Sequence, residues 1–85
     1  MSKIEKLLER FFSAPKDITW GEAVKVMSYY GFKEMKAGKT GGSRRKFVNR
    51  HKLVICLHEP HPRNILKKYQ IDLIIQHIQT NEKLL

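Results

Sequence analysis

A small α+β domain, three antiparallel strands with helices packed on one face, is the fold that the order of hydrophobic patterns in this chain predicts. Two observations carry that expectation. In the middle of the chain, residues 43–49 and 53–58 alternate in polarity and are separated by only three residues, as in a hairpin. On either side of them, apolar residues recur at helical spacing. The length sets a bound: 85 residues make one domain with a thin core. Such a domain buries only about 60–65% of the surface its unfolded chain exposes, so it is suited to a shallow site on a sheet face, not a deep one.

The first helix is expected over residues 3–12, where Ile4, Leu7, Leu8, Phe11 and Phe12 form one apolar face and Lys3, Glu5, Lys6, Glu9 and Arg10 the other. Ser13-Ala14-Pro15 ends it, because proline disfavours helical geometry in the residue before it. A second helix starts at Thr19, which forms a T-x-x-E capping box with Glu22. Trp20, Ala23, Val24 and Met27 follow at helical spacing and read as core. Gly31, after Tyr29-Tyr30, suits a left-handed C-terminal cap.

Strands are expected from Phe32 to Ala37, Ser43 to Asn49 and Leu53 to His58, with a turn at Arg50-His51-Lys52. Glu59-Pro60-His61-Pro62 must leave the sheet, since proline has no N–H for a ladder. A last helix is expected from 67 to 80, with Ile71, Ile74, Ile75 and Ile78 on one face. The glycine-rich loop Gly38-Lys39-Thr40-Gly41-Gly42 lacks Walker spacing and precedes no helix, which argues against nucleoside triphosphate binding.

Charge narrows the function. Lys and Arg total 17 against 8 Asp and Glu, a formal +9. That field favours a polyanion: nucleic acid, an anionic membrane face or an acidic protein. The excess is local, since Lys33 to Lys52 holds eight cations opposed only by Glu34. No stretch approaches the roughly 20 apolar residues of a membrane span. The charged start lacks the apolar run of a signal peptide, and the single cysteine, Cys56, rules out an internal disulfide. Together these point to a cytoplasmic protein without membrane partners.

Strand alternation then assigns faces. Phe47, Leu53, Ile55 and Leu57 should face the helices, leaving Arg44, Lys46, Val48, Val54, Cys56 and His58 on the open face. A three-residue turn at 50–52 keeps this parity only if Val48 lies opposite Val54, Lys46 opposite Cys56 and Arg44 opposite His58. Two cations and an imidazole would then sit side by side, a set that could hold a phosphate backbone. A solvated strand face is the plainer alternative.

Of the four histidines, His51 reads as a polar turn residue and His77 as a structural one on the last helix. Two roles are open to His58 and His61. Imidazole titrates near neutral pH and can take and return a proton, so either could serve as general base or acid. Alternatively, Cys56, His58 and His61 could ligate a metal, although three ligands among many cations are a weak zinc pattern. Exposed histidines at a strand end, without chemistry, are the third reading.

Three segments taken together resemble a known family: Gly42-Ser43-Arg44-Arg45-Lys46-Phe47, Leu53-Val54-Ile55-Cys56-Leu57-His58-Glu59-Pro60-His61-Pro62 and Asn64-Ile65-Leu66-Lys67-Lys68-Tyr69. Their order is similar to that in the HicA toxins of toxin–antitoxin systems. The likeness spans Trp20 to Ile78, so residues 1–15 read as a helical extension to a domain of residues 16–85.

The resemblance implies a fold like a double-stranded-RNA-binding domain, cleavage of mRNA without metal or other cofactor, and a HicB-like antitoxin partner covering the active face. Set beside the charge and strand-face reading, it makes Arg44, Arg45, Lys46, Lys39 and Lys68 the expected RNA contacts and His58 and His61 the catalytic candidates. Typical members carry a catalytic histidine directly after the glycine-serine pair, where this chain has Arg44. The expectation that follows is that His58 supplies the imidazole from the neighbouring strand while Arg44 holds the phosphate. The rival is a chain that has lost cleavage and only binds RNA or its partner.

Overall fold

A computed structural model describes residues 3–35, 44–60 and 63–83. Helices α1 (Lys3–Phe12) and α2 (Trp20–Tyr29) are followed by strands β1 (Lys33–Met35), β2 (Arg44–Val48) and β3 (Val54–His58), and then by helix α3 (Lys68–Lys83). The strands form one antiparallel sheet in the order β1-β2-β3. The expected α+β class and element order are therefore present. The glycine-rich segment with Lys39, and the His61-Pro62 pair, lie outside the described residues.

One face of the sheet supplies Phe47, Ile55 and Leu57 to a core completed by Ala23, Val26 and Met27 of α2 and Ile71, Ile74 and Ile78 of α3. The N-terminal helix joins the same core: Phe11 is fully buried, and Leu7 and Leu8 pack against the cluster. The Arg10 guanidinium fixes α1 to the start of α2, through Glu22 Oε2 at 2.7 Å and Asp17 Oδ1 at 2.8 Å. Residues 18–20 also run beside 64–66, with Trp20 N–H donating to the Asn64 carbonyl (2.7 Å) and Leu66 N–H to that of Ile18 (2.8 Å). This short bridge buries Ile18 and Leu66 and leads the chain into α3.

Both ends of α2 follow the local chemistry. Glu22 N–H donates to Thr19 Oγ1 (3.1 Å) and Thr19 N–H donates to Glu22 Oε1 (3.0 Å), which completes the capping box. That backbone hydrogen bond, followed by the Arg10 contact, holds the Glu22 carboxyl below its ordinary value. At the other end Gly31 is left-handed, with φ of 87°. Phe32 N–H donates to the Met27 carbonyl (2.9 Å) and Gly31 N–H to that of Ser28 (3.0 Å), while Phe32 and Met27 are both buried. These are the two hydrogen bonds and the apolar contact of a Schellman cap.

The hairpin has the inferred register, with Arg44 opposite His58, Lys46 opposite Cys56 and Val48 opposite Val54. Lys52 closes the three-residue turn in the left-handed region (φ 64°), the geometry by which a short loop reverses a twisted ladder. Within the described residues β1 begins at Lys33, one residue after the expected start, because Phe32 is taken into the helix cap; residues 36–37 of the expected strand lie outside the described set. α3 runs past the expected end at 80, because Asn81 is buried and accepts from Asn49 Nδ2 at 2.7 Å.

Two outcomes test this account. Gly31→Ala should cost about 1–2 kcal/mol in urea unfolding, since a side chain at positive φ is strained while nothing crowds the Cβ position. Glu22→Gln should cost about 0.5–1 kcal/mol at pH 7. Because the folded-state carboxyl titrates below its ordinary 4.5, the Glu22 contribution is complete above that value and fades as pH falls through the folded value. The two unfolding curves should therefore converge in acid; a gap that stays constant with pH would contradict the assignment.

Candidate nucleic-acid interface

The β2–β3 register sets out the open face in rows. Met35, Lys46 and Cys56 lie across the three strands, Lys33, Val48 and Val54 form a second row, and Arg44 with His58 forms a third at the far end. Arg44, Lys46, Cys56 and His58 are all exposed. No carboxylate lies on this face among the described residues, and neither Arg44 nor Lys46 makes an ion pair or side-chain hydrogen bond among them. Met35 (48% exposed) and Val54 (42%) add apolar surface between the cations. The face therefore offers positive charge and flat apolar area together, the two things a nucleic-acid strand can use.

His58 is held by its backbone and left free at its ring. Gln70, buried on α3, donates from Nε2 to the His58 carbonyl (2.9 Å) and accepts at Oε1 from Lys67 N–H (3.0 Å). One amide thus caps the start of α3 and pins the end of β3 to it. His58 also borders an open cleft of about 410 Å³ between the end of β3 and the start of α3. Pro60, Ile65 and Tyr69 supply its apolar lining, and Arg63 and Lys67 its positive charge.

The other residues singled out in the sequence are distributed as follows. Arg45 occupies the opposite face from Arg44 and Lys46, as strand alternation requires. Its guanidinium bridges Glu34 on β1 (3.3 Å) and Glu59 just beyond β3 (3.2 Å), so it braces three strands from the helix side. Lys68 is exposed at the first residue of α3. Lys39 and His61 lie outside the described residues. His77 turns its Nδ1 to the Leu73 carbonyl at 2.8 Å, one turn back on α3, which is a structural contact. Arg63 and Gln70 were not singled out in the sequence, and Lys67 and Tyr69 stood there only in a segment of family resemblance, without a role. Gln70 did leave a trace, as an N3 glutamine at a helix start.

Among the described residues, no group of three or more His, Cys, Asp or Glu side chains could hold a metal ion. Cys56 and His58 do share the open face, and His61, the third member of the trio considered above, is outside that set. Among the described residues, no helix is long and apolar enough to cross a membrane.

The sequence model of a family described as "HicA toxin of bacterial toxin-antitoxin" matches residues 20–79. That span begins at the first residue of α2 and leaves α1 outside it. No curated protein matches the chain, and no solved structure does.

The brace at Arg45 can be separated from the open face by mutation. Arg45→Met should lower stability by about 0.5–1 kcal/mol, the scale of partly exposed ion pairs, with the loss shrinking at high salt. A variant with unchanged stability at low salt would remove the bracing role.

Proposed function

The chain belongs to the HicA toxin family of bacterial toxin–antitoxin systems, and from that premise we propose that it is an endoribonuclease that cleaves mRNA without a metal and so inhibits translation. The observation that carries this reading is the pairing of His58 with Arg44 on an open, carboxylate-free sheet face. A cognate antitoxin is the partner that membership of the family implies. We take it to be HicB-like and to cover this face, and the site of action to be the cytoplasm, where mRNA is met.

Cleavage in this scheme is an attack by the RNA's own 2′-oxygen. The His58 imidazole removes the 2′-hydroxyl proton; the 2′-oxygen then bonds to the adjacent phosphorus as the bond from phosphorus to the 5′-oxygen breaks. The products are a 2′,3′-cyclic phosphate and a 5′-hydroxyl, the leaving oxygen receiving a proton from a general acid, for which His61 is the candidate. Arg44 and Lys46 stabilise the extra negative charge on the phosphoryl oxygens as the attack proceeds. His58 thereby fills the role that the resemblance gives to a histidine at the position of Arg44. Lys39, Lys68 and Arg45 would support the RNA at longer range, Arg45 by holding the strands in place.

A second reading has one observation in its favour. Arg44 stands where typical members carry the catalytic histidine, so the chain would bind RNA or its antitoxin without cutting.

Induced expression without antitoxin separates the two. The unmodified protein should arrest growth with loss of transcripts, and chelator should not protect RNA in a purified assay. His58→Ala should reduce cleavage by about 100-fold or more, the scale of losing a general base, while His77→Ala leaves it unchanged. Arrest that is undiminished in both His58→Ala and His61→Ala would eliminate the imidazole mechanism. RNA binding without cleavage by the unmodified protein would establish the second reading.

A further inference from the structure

We propose that the cleft beside His58 is a nucleobase subsite, in which Tyr69 stacks on an unpaired base while Arg63 and Lys67 hold the phosphate next to it; this rests on the RNA-cleaving reading above. The substrate it selects is single-stranded RNA. A base inside a duplex keeps both its faces covered by its neighbours and cannot lie against a protein ring.

Three observations converge on the cleft. The first is the state of its aromatic residue. Among the described residues, Tyr69 is the most exposed of the large hydrophobic side chains, at 63%, and makes no ring contact. By contrast, the exposed Tyr29 leans edge-on against Tyr30, with centroids 5.2 Å apart. Tyr69 thus presents an exposed ring, without a ring partner among the described residues, at the wall of a concave site.

The second is charge. Among the described residues Arg63 and Lys67 make no ion pair, and Glu59, the one carboxylate among those lining the cleft, is already engaged by Arg45. The cleft is therefore positive as well as apolar, which suits a nucleotide better than it suits a neutral ligand or an acidic metal site.

The third is continuity. His58 lies on the open face opposite Arg44 and also borders the cleft. A strand whose reacting phosphate rests between Arg44 and His58 enters the cleft with its next nucleotide. Gln70 lies buried beneath the cleft, where its amide holds the His58 carbonyl and the Lys67 N–H, so it frames the subsite and presents little surface to a base. Recognition there rests on stacking, which tolerates every base and favours the larger face of a purine.

The test uses the full-length protein and a short 2′-O-methyl RNA, which lacks the free 2′-hydroxyl and so binds without being cut. Tyr69→Ala should weaken binding roughly 10-fold to 100-fold, the scale of one lost base stack. Tyr69→Phe and Tyr69→Trp should stay close to the unmodified protein, and a blunt duplex of the same sequence should bind more weakly than the single strand. Thermal unfolding should be unchanged in all three variants, since the ring is exposed. If Arg44→Ala weakens binding and Tyr69→Ala does not, the subsite is refuted and the RNA reading stands. If Phe fails as badly as Ala, the hydroxyl and not the ring is what matters, and stacking is refuted. If Tyr69→Ala weakens only antitoxin binding, the cleft belongs to the partner protein. If the unmodified protein does not bind the probe at all, both the subsite and the reading beneath it fall.

Discussion

The Asn49 side chain fixes the hairpin register on which the open face and the proposed site depend. Its Oδ1 accepts from the N–H groups of His51 and Leu53, each at 3.0 Å, and its Nδ2 donates to Asn81 on α3. The turn is thereby closed from within and tied to the helix behind it. An isolated hairpin is marginal in water, and a slip of one residue would exchange its buried and exposed faces. Such a slip would drive Lys46 toward the core and turn Phe47 to solvent. At the other end of the hairpin, Gln70 holds the His58 carbonyl. α3 therefore grips the β2–β3 unit at both ends through buried amides, and its isoleucines fill the space between them. The amides specify where the strands lie, while the apolar contacts supply most of the stabilisation.

This arrangement explains how three consecutive basic residues, Arg44-Arg45-Lys46, come to have different fates. Alternation sends the middle one to the helix side, where Glu34 and Glu59 neutralise it. The outer two stay on the open face without counter-ions among the described residues. Residues two apart on a strand lie roughly 6–7 Å from each other, where two exposed charges repel by less than about 1 kcal/mol in water, and salt screens them further. The fold can tolerate that repulsion. It also keeps those cations available, because no protein carboxylate has to be displaced before a phosphate can approach.

Much of this was legible in the sequence because the governing rules are local. The capping box at Thr19, the left-handed glycine at 31 and the pairing of Arg44 with His58 each follow from a few adjacent residues and a parity rule. What was not legible depends on contacts between distant segments. Nothing near Asn81 in the chain says that it meets Asn49, and nothing near Arg10 says that it meets Asp17 and Glu22. The cleft is built where the end of β3, the 63–66 segment and α3 come together, so neither its volume nor the exposure of Tyr69 has a signature in a single stretch. The inward placement of Arg45 was available from the same alternation that placed Phe47.

A cationic, partly apolar face also links binding to folding in a domain this small. Small domains have net stabilities of only about 5–15 kcal/mol, so a contribution of a few kcal/mol is a large fraction of the whole. An occupant that covers the face removes Met35 and Val54 from water and supplies the counter-charge that Arg44 and Lys46 lack. At a concentration 100 times its Kd, such an occupant adds about 2.7 kcal/mol to the folded state. The features that weaken the free protein are thus the same ones that give a polyanion or an acidic partner its affinity. In the scheme proposed above, RNA and an antitoxin would compete for the same cations, so the face would hold one at a time. That exclusion would be control enough: the occupant with the higher ratio of concentration to Kd would determine whether His58 meets RNA.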